Sequence, residues 1–208
     1  MIEYGIAQFD RFLKTVIPNS ASAAKANPAQ QAPHDIEMDE GSRQHAAGLM
    51  RINHTGEVCA QALYNGQALT AKSAEARAYL EHAADEETDH LVWCEERLAE
   101  LASRPSLLNP AFYGASFAIG AMTGLLGDRI SLGFVSATED QVCKHLEEHM
   151  VTLPEEDQRS RAILQQMIED EERHGSEALA RGGKAFPSPV KQLMTVMSKV
   201  MTTTTYRI

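Results

Sequence analysis

The chain has 208 residues, of which 43% are hydrophobic and 23% charged, and its formal net charge is −10. That make-up fits one globular domain with a sizeable core; the acid excess, with no basic stripe interleaved with aromatics, excludes a nucleic-acid partner. Cys59, Cys94 and Cys143 form no Cys-x-x-Cys pair, which argues against structural zinc and a disulfide framework and suits a reducing cytoplasm.

Residues 1–17 place Ile2, Ile6, Phe9, Leu13 and Val16 at spacings of four and three, the pattern of a short amphipathic helix that packs on the body or on a partner. Glu3 and Asp10 interrupt this stretch, so it does not read as a signal peptide. Residues 18–33, rich in Pro, Ala, Ser and Asn, read as a mobile linker. Helix-capping chemistry at Asp39 to Ser42 marks the start of the folded core. The expected division is therefore an N-terminal segment and linker over 1–41 and a single domain over 42–208.

Within that domain a first helix is expected over about 42–71 and a second over about 74–102, ending before Arg104-Pro105. Ala111–Gly127 then runs for 17 residues without a charge. That is short of the roughly 20 needed to span a bilayer. Its Gly and Ala content fits a closely packed buried helix, and its apolarity equally fits a surface that lies on a membrane or admits a lipid-like substrate. Asp128 and Arg129 follow, and helix is expected to continue through Glu139 to about 152. A further helix over about 155–181 stops at Gly182-Gly183. Val190, Leu193, Met194, Met197, Val200 and Met201 form one face of a last amphipathic helix, either docked on the core or facing a membrane.

Two of these helices carry the same short pattern. Asp85-Glu86-Glu87-Thr88-Asp89-His90 and Asp170-Glu171-Glu172-Arg173-His174 each contain Glu-x-x-His. Residues three apart on a helix lie about 60° apart around its axis, so a carboxylate and an imidazole so spaced can grip one metal ion. A lone acid precedes each pair on the helix before it: Glu57, 30 residues ahead of Glu87, and Glu139, 32 ahead of Glu171. Glu87, Glu139 and Glu171 sit on stripes that are otherwise apolar, such as Leu132, Val135, Glu139, Val142 and Leu146; the stripe of Glu57 is weaker. An ionised carboxylate on a buried stripe is costly unless paired or metal-bound. Two divalent cations would neutralise four converging carboxylates. Asp85, Glu86, Asp89, Asp170 and Glu172 fall off the stripes and read as a solvated acidic face.

Two αα-hairpins, each giving Glu and then Glu-x-x-His, describe a ferritin-like four-helix bundle with a di-iron or di-manganese carboxylate site. Mixed carboxylate and imidazole donors without thiolate favour iron or manganese over structural zinc. The extra amphipathic helices lie outside the four. The ligand set alone leaves storage, peroxide reduction, electron transfer and oxygen insertion open. Gly56, just before Glu57, costs about 1 kcal/mol in a helix relative to Ala, a cost tolerated where a backbone or a substrate comes close. His54 reads as a packing or supporting residue rather than a ligand.

The run Asn53-His54-Thr55-Gly56-Glu57, the pair Glu87/His90, the apolar lead into Glu139, His145, and the pair Glu171/His174 together resemble the demethoxyubiquinone hydroxylase family of ubiquinone biosynthesis, over roughly residues 42–208. The resemblance implies a di-iron monooxygenase that uses O₂ and an external reductant, NADH being a candidate, although no Gly-rich dinucleotide fingerprint is present. Its substrate would be a polyprenyl methoxy-methyl-benzoquinol. By the same resemblance Glu57, Glu87 and His90 hold one iron, Glu139, Glu171 and His174 hold the other, and Glu87 and Glu171 bridge them. His145 matches a supporting position that assists electron or proton delivery. Many relatives carry Tyr after it, where this chain has Leu146. The implied setting is the cytoplasmic face of the cell membrane, as a peripheral homo-oligomer that works with accessory proteins of the pathway. Weighed against this are a ferritin-like iron store or peroxidase, a helical binding module without metal, and a fatty-acyl desaturase.

Overall fold

The structure, a computed structural model, describes residues 2–33 and 37–208, with side chains from residue 5 onward. The side chain of Ile2, counted above in the first amphipathic stripe, and residues 34–36 of the expected N-terminal segment lie outside the described residues. Among the described residues the fold is all-α. Its helices are α1 (Ile2–Val16), α2 (Glu40–Thr70), α3 (Ala74–Glu100), α4 (Asn109–Leu125), α5 (Asp128–Thr152), α6 (Gln158–Ala180) and α7 (Ser188–Thr205), with a 3-10 turn at Pro28–Gln30.

Local chemistry sets the ends of these helices. Asp39, Ser73 and Asp157 each accept a backbone N–H at the start of α2, α3 and α6, from Ser42, Ala76 and Ser160, which satisfies donors a helix cannot pair internally. Short connections fold α2 back on α3 and α5 back on α6. The two hairpins meet antiparallel: Tyr79 of α3 donates to the carbonyl of His174 on α6, and Gln67 of α2 donates to the carbonyl of Ser131 on α5. The result is a ferritin-like four-helix bundle of α2, α3, α5 and α6.

Its core is divided into two apolar layers. Met50, Trp93, Cys94, Leu146, Leu164 and Met167 fill one end. Tyr64, Leu80, Ala83, Leu132, Val135 and Ala178 fill the other. Each bundle helix contributes to both layers, and each carries its candidate ligands in the gap between them. The Cys94 Sγ lies 3.9 Å from the Met167 Sδ, so this cysteine is a packing residue of the first layer.

Outside the bundle, α4 lies along α2. A Cβ at Gly66 would run into the backbone of Phe117, and a Cβ at Gly120 into that of Leu63; the small residues of Ala111–Gly127 allow that approach. Only one face of α4 is closely packed. Met122, Leu125 and Leu126 are exposed, so the small residues pack on α2 while larger apolar ones face outward. Helix does not continue unbroken into Glu139, because Gly127 takes φ +107°, a conformation that L side chains rarely adopt. The Asp128 carboxylate then accepts from the backbone N–H groups of Lys72 and Ser73 at 2.8 and 2.9 Å, tying the start of α5 to the α2–α3 corner.

The N-terminal region also departs from expectation. In α1 the inward face is Arg11, Phe12, Thr15 and Val16, through Arg11–Asn65, Phe12–Tyr113 and Thr15–Gln61 contacts, while Ile6 and Phe9 are exposed. Residues 18–33 are not a free linker. They form a strap across α3: Ala24 N donates to Asp89 Oδ1, Asn27 Nδ2 to Glu96 Oε2, and Trp93 Nε1 to the Lys25 carbonyl. Ala29 is buried in the first core layer. Short polar residues, which read as flexible by composition, act here as hydrogen-bond anchors.

The two hairpins are locked at one end by a buried ion pair. Arg97 of α3 reaches Asp157, the cap of α6, at 2.7 Å, and Ser160 at 2.9 Å. Both charged side chains are almost fully buried. Asp157→Ala removes the cap and one of the carboxylates on the guanidinium, Glu100 staying at 2.8 Å, and is expected to cost roughly 2–4 kcal/mol. Thermal unfolding of this variant is expected to fall on the order of 10 °C below wild type.

Candidate metal centre

Glu57 comes from α2, Glu87 and His90 from α3, Glu139 from α5, and Glu171 and His174 from α6. All six are 2% exposed or less. Donor atoms of Glu57, Glu87, His90 and Glu171 lie within 4.8 Å of one another. His174 closes on the same group: its Nδ1 is 3.1 Å from Glu87 Oε1 and 3.2 Å from Glu171 Oε2. Glu139 stands at the edge, where one oxygen accepts from the Tyr64 hydroxyl.

The two imidazoles are oriented alike. His90 Nδ1 faces the cluster, 3.1 Å from both Glu87 and Glu171 and 3.8 Å from Glu57. His90 Nε2 points outward to Asp170 at 3.2 Å, and His174 Nε2 points outward to Glu86 at 3.0 Å. A carboxylate only accepts, so each Nε2 carries a proton, and a metal between the acids would be met by the Nδ1 lone pair once the inner proton is displaced. The outer acids are exchanged between hairpins: Glu86 precedes Glu87 but supports the imidazole of α6, and Asp170 precedes Glu171 but supports that of α3.

This corrects the solvated-face reading of the acidic runs. Asp85 and Glu172 are exposed, but Asp89 and Asp170 are buried and Glu86 nearly so. Asp89 anchors the strap. Glu86 and Asp170 are held by hydrogen bonds from Arg173. Burial alone would raise the pKa of Glu86; hydrogen bonds from Arg173, His174 and Lys25 outweigh it and bring it down to about 2. The signal for these residues was present in sequence as an acid directly before each ligand Glu. Helical spacing along one chain could not show that each serves the opposite hairpin.

Burial and mutual repulsion shift the titration of the inner groups. Burial pushes the Glu57 and Glu139 carboxyls far above the usual carboxylate range, reinforced by neighbouring carboxylates. His174 is raised to about 12: burial disfavours its charge, but Glu171 and Glu87 outweigh it. Glu139 Oε2 is buried without a hydrogen-bond partner, and Glu87 Oε1 and Glu171 Oε1 meet only the imidazoles, each at 3.1 Å. An orphaned oxygen on Glu139 and two imidazole nitrogens aimed among four buried carboxylates describe a place for cations. The donor set of oxygen and imidazole nitrogen suits iron or manganese.

The residues of the Asn53–Glu57 run divide their roles. Asn53 accepts from His149 Nδ1 at 2.7 Å. His54 accepts from Asn109 Nδ2 at 3.2 Å, and Thr55 donates to Asn109 Oδ1 at 2.9 Å. Burial pushes both His54 and His149 down to about 4, so both are neutral near pH 7. His149, not singled out in the sequence, is the buried histidine of α5. His145 lies elsewhere, with Nε2 2.9 Å from the Ser198 hydroxyl of α7.

Next to the cluster is an apolar cavity of about 390 Å³, enclosed by α2, α4, α5 and α7. Glu57 is in its wall, beside Gly56 and Cys59; His145, Phe112 and Met197 are among the other lining residues. A Cβ on Gly56 would meet nothing within 4 Å. The glycine therefore leaves space where the cavity approaches Glu57, rather than permitting a backbone contact. Burial pushes the Cys59 thiol up to about 11, keeping it protonated and inert in this wall.

Known proteins resemble this chain closely. The profile of the family described as ubiquinone biosynthesis protein COQ7 matches residues 44–205. The chain is 61% identical over 204 residues to a protein of Ectopseudomonas mendocina named 3-demethoxyubiquinol 3-hydroxylase, covering 98% of this chain and 94% of the relative. Proteins with that name from Azotobacter vinelandii and a Marinomonas species are 61% identical over 203 residues and 58% identical over 207. In the Azotobacter comparison 98% of this chain and 94% of the relative are covered; in the Marinomonas comparison, 100% and 98%. On the extent of these matches, the chain belongs to the COQ7 family of ubiquinone biosynthesis proteins.

Proposed function

We infer that the chain is a 3-demethoxyubiquinol 3-hydroxylase, a di-iron monooxygenase in which Glu57, Glu87 and His90 would hold one iron and Glu139, Glu171 and His174 the other, with Glu87 and Glu171 placed to be shared between them. The observation that carries this reading is the shared position of Glu57, which belongs both to the buried cluster and to the wall of the apolar cavity. An iron store has no use for such a cavity. When bound, the two irons supply the reduction of O₂ and the transfer of one oxygen atom to the quinol ring, with electrons from an external donor of the NADH class.

The protein's own part is to position and to exclude. The cavity walls are almost wholly apolar, so they favour a methylated ring and the start of its polyprenyl tail over water. Gly56 lets the ring approach Glu57. Thr138, Gln141 and His145 are the polar groups on the α5 wall, and His145 can give a proton to, or take one from, a ring hydroxyl. Glu86 and Asp170 hold the two imidazoles in the tautomer that ligation needs.

Among the described residues no helix is long and apolar enough to cross a membrane. Exposed apolar side chains instead collect on the two helices that flank the cavity: Met122, Leu125 and Leu126 on or just after α4, and Leu193, Val196 and Val200 on α7. The reading that follows is a peripheral protein that rests this surface on the cytoplasmic face of the membrane and takes its substrate from the bilayer.

Two measurements test this. Cells lacking the protein are expected to accumulate the demethoxy quinone; wild type should clear it, and Gly56→Phe should not, although the variant still binds two irons. Full clearance by Gly56→Phe would separate the cavity from the substrate, and normal ubiquinone in the deletion strain would overturn the assigned reaction. The double variant Leu125→Lys/Leu126→Lys is expected to lose most of its co-sedimentation with phospholipid vesicles while retaining its iron. Undiminished co-sedimentation would exclude the end of α4 as the docking surface.

A further inference from the structure

Lys25 lies outside the residues matched by the family profile, which begins at residue 44. Yet the strap carries it to the outer edge of the candidate metal centre. Its Nζ is 3.2 Å from Glu86 Oε1 and 3.9 Å from Asp170 Oδ2, the two acids that support the imidazoles of His174 and His90. Arg173 contacts the same two carboxylates. The strap is fixed on both sides of Lys25: its own carbonyl accepts from Trp93, the N–H of Ala24 donates to Asp89, and Asn27 donates to Glu96. The ammonium is thus presented by a fixed backbone and does not reach in from a free chain end.

We propose that Lys25 is a positioning residue that, with Arg173, balances the charge of Glu86 and Asp170 and thereby sets the redox potential of the metal pair. The inference rests on the di-iron reading. Charges balance layer by layer: four inner carboxylates match two ferrous ions, and two outer carboxylates match one ammonium and one guanidinium. Each outer carboxylate accepts the Nε2 proton of a ligand imidazole, so its effective charge acts through that ring on the metal. Removing Lys25 leaves one uncompensated negative charge next to Glu86. Excess negative charge favours the more positive, oxidised state of the metals, so the midpoint potential must fall. Lys25 is about half exposed, and its substitution opens no cavity in the core.

The test is a redox titration of the iron-loaded full chain, comparing wild type, Lys25→Met and Lys25→Arg. Lys25→Met is expected to lower the midpoint potential and to shift the visible absorption of the oxidised centre, with two irons still bound and little change in thermal stability. Lys25→Arg is expected to restore both properties, because it returns the charge. An unchanged potential in a Lys25→Met protein that holds two irons would overturn the proposal. If wild type itself holds no iron pair, the ligand assignment fails instead. If Lys25→Met and Lys25→Arg shift the potential equally, the effect comes from strap geometry and not from charge, which also overturns it.

Discussion

The structure depends on four carboxylates buried inside one helix bundle. Water is excluded by an apolar layer on each side, so neither dilution nor screening relieves their mutual repulsion. Removing even one ion from water costs several kcal/mol after relaxation. The fold meets this cost by drawing opposite charge inward. The surrounding carboxylates raise the inner imidazoles, and burial pushes the Glu57 and Glu139 carboxyls far up. Glu87 Oε1 and Glu171 Oε1 meet only an imidazole, and Glu139 Oε2 has no hydrogen-bond partner. Divalent metal would satisfy those oxygens and displace the protons from the same positions.

Everything around the cluster keeps it in place. The apolar layers fix the axial position of each ligand on its helix. The exchanged His90–Asp170 and His174–Glu86 bonds tie one hairpin to the other, so neither imidazole can turn without moving the opposite helix. The Arg97–Asp157 pair closes one end of the bundle, and the strap closes the outer side. The α2 side is treated differently: there Gly56 and the walls from α4 and α7 leave an apolar opening. The bundle is polar, charged and closed toward the strap, and apolar and open toward the cavity. That asymmetry is what a centre needs if electrons or protons and a greasy ring reach it from different directions.

Much of this was legible in the residues. Glu-x-x-His repeated with a matched upstream acid placed the ligands on four helices, because helical periodicity is strict and an acid on an apolar stripe must find a counter-charge or a metal inside the core. The helix start at Asp39 followed from side-chain capping. What could not be seen depended on tertiary contact. Glu86 and Asp170 lie off the stripe of their own helices and become buried only because the opposite hairpin covers them. Residues 18–33 look flexible by composition, and their order comes from Asp89, Trp93 and Glu96 on α3. Phe12 replaced Phe9 as the inward aromatic of α1 because Tyr113 of α4, remote in sequence, offers its edge at a centroid distance of 5.0 Å. Gly127 breaks the helix before Glu139, and periodicity alone did not register it.

Six side chains sharing a pair of metal ions is the claim on which the function rests. A crystal structure of the iron-loaded protein with data collected at the iron absorption edge tests it most directly. Two anomalous peaks are expected about 3.5–4 Å apart, one beside Glu57 and His90 and the other beside Glu139 and His174, with Glu87 and Glu171 between them. A single peak, or peaks outside the gap between the two apolar layers, would contradict it.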